Sequence, residues 1–353
     1  MRAGVPCGIQ HRYAWGLLGL HTIELAALGK LFVPSHVIMP TSSAIDRLWW
    51  RLNEIFCVKA QLRIHMSSHH FLLLITLAAI WGSSFMFIRI SAQELNAVWL
   101  TEGRVALAAL FLFAVAIILK KKLDLRQGIT PYLVIGLLNC VLPFILIGYA
   151  AQGLTASSMS ILNATAPTWG AIIAAFWFRE GMSFGRILGL LIGFIGVGVL
   201  LGLHSTSVTA ASLPHAAAQI GGAFFYGLST TYARSIEKLD SFSISHGSLW
   251  AAAALTVPLL LVTPMPHSVS VETSLSLLIL GVVCSGVAYL LYFKLVMEAG
   301  GSAALSVAYL IPLFGTLWGV VFLDEIIGWH TVLGGCLIVL GTMLTTNTLK
   351  LRA

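Results

Sequence analysis

The side chains of this sequence that could do chemistry are few, and nearly all sit inside long apolar stretches. Trp81 and Ser84 fall near the middle of one stretch, and Tyr226 and Ser229 hold the same depth in another. Asn139 is centred in a third, and Asn163 lies one turn before Pro167 in a fourth. Tyr289 and Tyr292, three apart, share one helical face. Tyr309 stands three residues before Pro312. These are neutral hydrogen-bonding groups and rings, not a nucleophile beside a base. A polar side chain in hydrocarbon is costly and tends to face a cavity or a partner, so the chemistry on offer is reversible recognition of a small solute. The plainer alternative is that the same groups bond neighbouring helices. For Asn163 and the tyrosines both readings stay open.

Charged side chains inside these stretches are rarer still. Glu102 and Arg104 lie in the first third of one stretch, two apart and so on different sides of a helix. Arg104 either anchors structure, by reaching the interface or pairing with a carbonyl or Glu102, or attracts an anionic group such as a solute carboxylate. No Asp or Glu falls in the middle third of any stretch, which argues against a midplane carboxylate that exchanges protons for cationic drugs. Pro167 and Pro312 each remove a helical hydrogen bond to the residue four earlier, Asn163 and Ala308. Glu180 and Glu325 end their stretches, where a carboxylate opposes the helix dipole. Both are expected to accept hydrogen bonds from the N-terminal amides of the next helix, a structural role.

Several function classes are excluded or disfavoured. The five cysteines form no C-x-x-C pair, and His65, His69 and His70 have no companion ligands, so neither a metal nor another cofactor is expected. No G-x-x-x-x-G-K-[ST] motif is present, so ATP is not expected as a partner. A membrane enzyme acting on lipid would need Asp, His or Cys clustered near an interface, and the stretches offer none. A non-transporting scaffold remains the rival from another class.

These residues must be positioned by helices in a membrane. The chain of 353 residues is 58% hydrophobic and 9% charged, with a mean hydropathy of +0.93. Stretches long enough to cross a hydrocarbon core of roughly 30 Å as helix are read at 71–90, 97–119, 131–150, 155–178, 185–203, 215–233, 243–263, 274–296, 301–323 and 330–346. The fold class is therefore an all-α polytopic membrane protein with ten transmembrane helices. Between them, the even-numbered connections hold Lys120, Lys121, Lys122, Arg126, Arg179, Arg186, Arg234, Lys238 and Lys294, whereas the odd-numbered ones hold Glu94, Glu272, Asp324 and Glu325. By the positive-inside rule both termini are cytoplasmic. The net charge of +7 is thus a topology signal, and no nucleic-acid partner is expected.

The sequence also repeats itself. Ala78, Gly82, Ser84 and Arg89 recur 145 residues later as Ala223, Gly227, Ser229 and Arg234. At the same offset Pro167, Gly170 and Glu180 recur as Pro312, Gly315 and Glu325, and Gly189 and Gly196 as Gly334 and Gly341. Two copies of a five-span unit must enter the membrane in opposite orientations, the inverted arrangement on which carriers rock. The units are drawn at 66–210 and 211–353. Gly189 and Gly193, four apart, allow close backbone approach. Helices five and ten are therefore expected to pack on each other or to form the face of a homodimer. Residues 1–65 carry seven of the twenty Lys/Arg and no apolar run long enough to span. They read as a disordered or mis-assigned extension, with Met66 as the biological start, or alternatively as a cytoplasmic tail lying on the membrane surface.

The repeated residues carry a family resemblance. Trp81-Gly82-Ser83-Ser84-Phe85, Arg104 with Ala106-Leu107-Ala108, the run Ala156 to Gly181 around Pro167, and its twin from Ser302 to Glu325 resemble the EamA-type, ten-helix branch of the drug/metabolite transporter superfamily. The match covers nearly everything from Met66 to Thr346. It implies an inner-membrane carrier, typically an exporter of amino acids, metabolites or toxic compounds. Two departures are Arg179 before Glu180, where Gly is more usual, and Leu249 where the first unit has Arg104.

Overall fold

The computed structural model describes residues 68–121, 125–179, 181–201, 212–236, 241–266, 268–300, 304, 306–346 and 348–349. The expectations for residues 1–65 and for Glu180 lie outside the described residues. Every regular element among those described is helical. In an apolar chain with no water to satisfy its backbone, helices that bond internally are the natural solution.

Among the described residues, ten helical rods follow one another. They are α1 (Ser68–Ser91), α2 (Ala97–Ile118), α3a and α3b (Leu125–Ile135 and Leu142–Ala150), and α4a and α4b (Ala156–Asn163 and Ala166–Trp177). Then come α5 (Phe184–Leu200), α6 (Ser212–Ala233), α7 (Ser241–Leu260), α8a and α8b (Val271–Gly281 and Ala288–Ala299), α9 (Val307–Leu323) and α10 (Trp329–Thr345). Polar caps fix several starts. Asn96 Oδ1 accepts from the Val98 and Trp99 amides at 3.0 and 3.1 Å, Thr155 Oγ1 from Ser158 at 3.2 Å, and Ser270 Oγ from Thr273 at 3.1 Å. Among the described residues, six segments are long and apolar enough to cross a membrane. The 17 residues of α5, α9 and α10 give about 25 Å each at the α-helical rise. Leu191, Phe194 and Ile195 on α5 and Leu313, Leu317 and Val321 on α9 are exposed, as expected of rods that face lipid tails.

Three rods depart from the uninterrupted α-helices expected. The third and eighth each contain a π-helical turn, Gly136–Val141 and Val282–Val287, which replaces i→i−4 bonds with i→i−5. The two turns occupy nearly equivalent positions in the two repeats. The fourth rod breaks at Ala164 and Thr165. Pro167 consequently sits in the first turn of α4b rather than mid-helix, where its missing N–H removes no bond. Pro312 instead remains inside α9. The break is held from outside, because Thr342 Oγ1 on α10 donates to the Ala164 carbonyl at 3.0 Å.

The halves interlock rather than sit side by side. α1 packs on α9, α6 on α4b, α2 on α7, α3 on α7, and α8 on α2. Glycine makes the closest approaches. A methyl at Gly82 would lie 2.6 Å from Phe314 Cβ on α9, and at its repeat mate Gly227 it would lie 2.8 Å from Trp169 Cβ on α4b. At Gly189 it would lie 2.6 Å from the Gly341 carbonyl oxygen, so α5 and α10 meet through their repeated glycines. Of the two expectations for that surface, internal packing is the one observed. At one end of the bundle, His69 and His70 on α1 approach the Glu298 carboxylate on α8b at 3.7 and 3.5 Å, another link between halves.

Candidate functional site

Arg104 stands at the centre of the polar residues that the fold gathers. α2 carries it into the contact between halves, where it is 7% exposed. Its Nε donates to Ser285 Oγ at 3.0 Å, and its guanidinium lies 3.9 Å from the centre of the Phe144 ring. Ser285 belongs to the π turn of the eighth rod, and its Oγ donates to the Leu280 carbonyl at 3.0 Å, five residues earlier. Asn139 and Cys140 belong to the π turn of the third rod. Asn139 Nδ2 donates to Tyr289 Oη at 3.2 Å, and Tyr289 stacks on Phe293 at 6.2 Å between ring centres. Tyr226 packs against both apolar clusters of the core, one of which holds Cys140, Phe144 and Leu249. The Arg104 charge reaches Cys140, Tyr226, Cys284 and Tyr289 electrostatically. The groups that touch the cation are thus a hydroxyl and a ring, both neutral. The pairing with Glu102 considered from the sequence is not formed, and Glu102 Oε2 is buried without a partner.

The repeat explains why the π turns lie here. Gly136 and Gly281, a further pair at the 145-residue offset, let the third rod touch α7 and the eighth touch α2. A methyl at Gly136 would lie 2.7 Å from the Ser248 carbonyl, and one at Gly281 would lie 3.1 Å from that of Arg104. Each half thereby presses the rod that contains its π turn against the second helix of the other half. Such turns recur at functional sites in helical proteins.

The remaining expected residues are dispersed. Trp81 packs on Tyr292 at 5.5 Å between ring centres, and Ser84 Oγ donates to the Trp81 carbonyl at 2.6 Å on its own helix. Ser229 is buried at 2% exposure. Asn163 ends α4a beside the break, with its Oδ1 buried and unpartnered. Tyr309 Oη bonds Thr346 Oγ1 at 2.7 Å and Thr348 Oγ1 at 3.0 Å, at the C-terminal end of α10 and apart from the Arg104 group.

A concave region lies at the end of the bundle where the odd-numbered connections meet. This cleft of about 460 Å³ is lined by Arg89, Gln93, Glu94, Thr155, Glu272 and Glu325 among others. Arg89 donates to the Ala151 carbonyl at the end of α3b. Glu325 accepts from the Ala156 amide at 2.6 Å and the Ser157 amide at 3.0 Å, and from the Ser157 hydroxyl. The expected glutamate-to-amide contact exists, but it caps α4a of the other half rather than the following α10. The physical reason is proximity: α9 ends beside the start of α4a, and its free amides attract the anion. Glu94 Oε2 accepts from the Ser270 amide at 2.7 Å, and that bond holds the carboxyl below its ordinary range. Three of the cleft's charges are therefore engaged in holding helix ends.

The sequence reading missed Ser285, Phe144 and both π turns. The shared offset of Gly136 and Gly281 was the available signal.

Comparison with known proteins points one way. A family model described as the EamA-like transporter family matches residues 70–202 and again 215–347. The uncharacterized transporter YoaV of Bacillus subtilis is 21% identical, over 79% of this chain and 97% of its own. A probable terminal-alkyne amino-acid exporter of Streptantibioticus cattleyicolor is 23% identical, over 75% and 89%. The S-adenosylmethionine/S-adenosylhomocysteine transporter of Chlamydia trachomatis is 25% identical, over 70% and 80%. A solved crystal structure superposes with a TM-score of 0.59 at 19% identity, covering 80% of this chain and 97% of that one.

Proposed function

The chain belongs to the EamA-like transporter family, and on that premise we propose that this multi-pass membrane transporter is a secondary carrier exporting a small organic metabolite by alternating access. It is a transporter and not an enzyme, as its family and relatives are. The observation that carries the mechanism is the reciprocal docking of the halves: the third and eighth rods, each containing a π turn, press on equivalent helices, through Gly136 in one half and Gly281, just before its π turn, in the other. Two units built alike and inserted oppositely have two arrangements of similar energy, one open to each side, which is what rocking requires. The units are taken as 66–210 and 211–353.

The moving cavity is placed at the Arg104 group, with Asn139, Tyr226 and Tyr289 as its walls and Trp81 and Asn163 on the flanks. Ser84, Ser229 and Tyr309 are assigned to structure instead, since Ser84 and Tyr309 spend their hydroxyls on protein partners and Ser229 is sealed. The charge asymmetry of the connections supports both termini being cytoplasmic, and the family resemblance supports the inner membrane. Relatives named for an amino acid and for S-adenosylmethionine support a metabolite cargo.

Overexpression of the full chain, with comparison of extracellular metabolites against cells carrying an empty vector, tests this reading. Enrichment of one compound outside is expected. Equal profiles across several media, with the protein demonstrably in the membrane, would sink the export reading.

A further inference from the structure

We propose that the cargo carries a carboxylate and that Arg104 is its anchor. The inference rests on the carrier reading and narrows it to one chemical class. An arginine stays charged at any ordinary pH, and burial of an uncompensated charge is costly enough that such groups are normally paired. Arg104 is buried at 7% exposure, yet its one hydrogen bond goes from Nε to a neutral hydroxyl. Among the described residues no carboxylate lies within ion-pair distance of it, and its two terminal amino groups have no hydrogen-bond partner. Those amino groups form the fork that meets the two oxygens of a carboxylate side by side.

The fold does not require this charge. The equivalent position in the second half is Leu249, 0% exposed. Where Arg104 has Ser285 and Phe144, the equivalent residues of the other half are Cys140 and Tyr289. A leucine therefore fills the same place in the same architecture, and the cation is an addition to one half only. Against it lies the Phe144 ring, and Asn139 and Tyr289 bond each other on the two rods that carry the π turns. A ring beside the cation fits an acid with an apolar or aromatic body. The cleft at the odd-numbered connections is a poorer candidate, because Arg89, Glu94 and Glu325 are already bonded to backbone.

The test reads binding without transport. The purified full chain is unfolded thermally in detergent with matched probes: benzoate against benzamide, and L-phenylalanine against L-phenylalaninamide. Each acid is expected to raise Tm and its amide to have little effect. Arg104→Leu, the residue used by the other half, is expected to weaken acid binding by about tenfold or more, the weight of a charge-assisted pair. Arg104→Lys, which keeps the charge without the fork, is expected to fall between. Stabilisation that persists in Arg104→Leu, equal stabilisation by acid and amide, or none by either acid would overturn the proposal. Should Arg104→Leu fail to fold, phenylglyoxal labelling of the intact chain decides: benzoate, not benzamide, must lower the adduct at Arg104. Acid binding through Arg104 without any export would remove the carrier reading alone. Export of a neutral or cationic cargo undisturbed by Arg104→Leu would remove this inference alone.

Discussion

At the scale of single residues, the informative feature is how differently the chain treats its charges. Those at the odd-numbered connections are used to hold helix ends. Glu325 receives two amides and a hydroxyl of α4a, so Glu325→Gln, which keeps the shape but removes the charge, is expected to cost about 1–3 kcal/mol of stability. A lowered unfolding temperature for the purified protein, at unchanged membrane insertion, checks it. Glu94 is fully exposed but bonded to the Ser270 amide, which lowers its pKa. A depressed carboxyl favours the folded state above its ordinary pKa, near 4.3, and loses that contribution as pH falls through the lowered folded value. Glu94→Gln is therefore expected to flatten the acid limb of the stability profile by slightly lowering stability in the neutral region, with the acid region little changed. An unaltered acid limb would contradict the role given to Ser270. The types and depths of these residues were legible in the sequence, because apolar surroundings make each polar group conspicuous. Their partners were not: Glu325 meets Ala156 across 169 positions, a distance that no local pattern encodes.

At the scale of elements, helices were legible and their interruptions were not. Hydrophobic length marks a rod, but a π turn is one extra residue within it and leaves the hydropathy unchanged. The break at Ala164 and Thr165 was foreshadowed by Pro167, though the proline settled into a new first turn rather than bending one helix. The contact between α5 and α10 follows from the repeated glycines, and it makes a sharp prediction. Gly189 faces the Gly341 carbonyl and Thr345, whereas a methyl at Gly193 would meet nothing within 4 Å. Gly189→Ala is therefore expected to destabilise by about 1–3 kcal/mol through overpacking. Gly193→Ala should be neutral or slightly stabilising, because alanine is the better helix former by about 1 kcal/mol. Thermal unfolding of both variants, side by side, separates this packing from a general intolerance of added volume. Equal effects would contradict the α5–α10 contact.

At the scale of the whole molecule, duplication is the organising fact. Nine residue pairs at one offset announced two copies of a unit, and the structure adds that the copies interlock through equivalent surfaces. What duplication cannot reveal is where the copies differ, and that is where recognition is placed: Arg104 has Leu249 as its counterpart. Symmetry serves the motion in this account, and asymmetry serves the cargo. Locking the halves together should therefore stop transport without preventing binding. The most direct measurement of the central claim is counterflow in proteoliposomes, without ATP, using whichever compound the full chain enriches outside cells. Vesicles preloaded with that compound unlabelled and diluted into its labelled form are expected to show a transient internal overshoot, absent from protein-free vesicles. Labelled uptake no faster than in protein-free vesicles would contradict a secondary carrier.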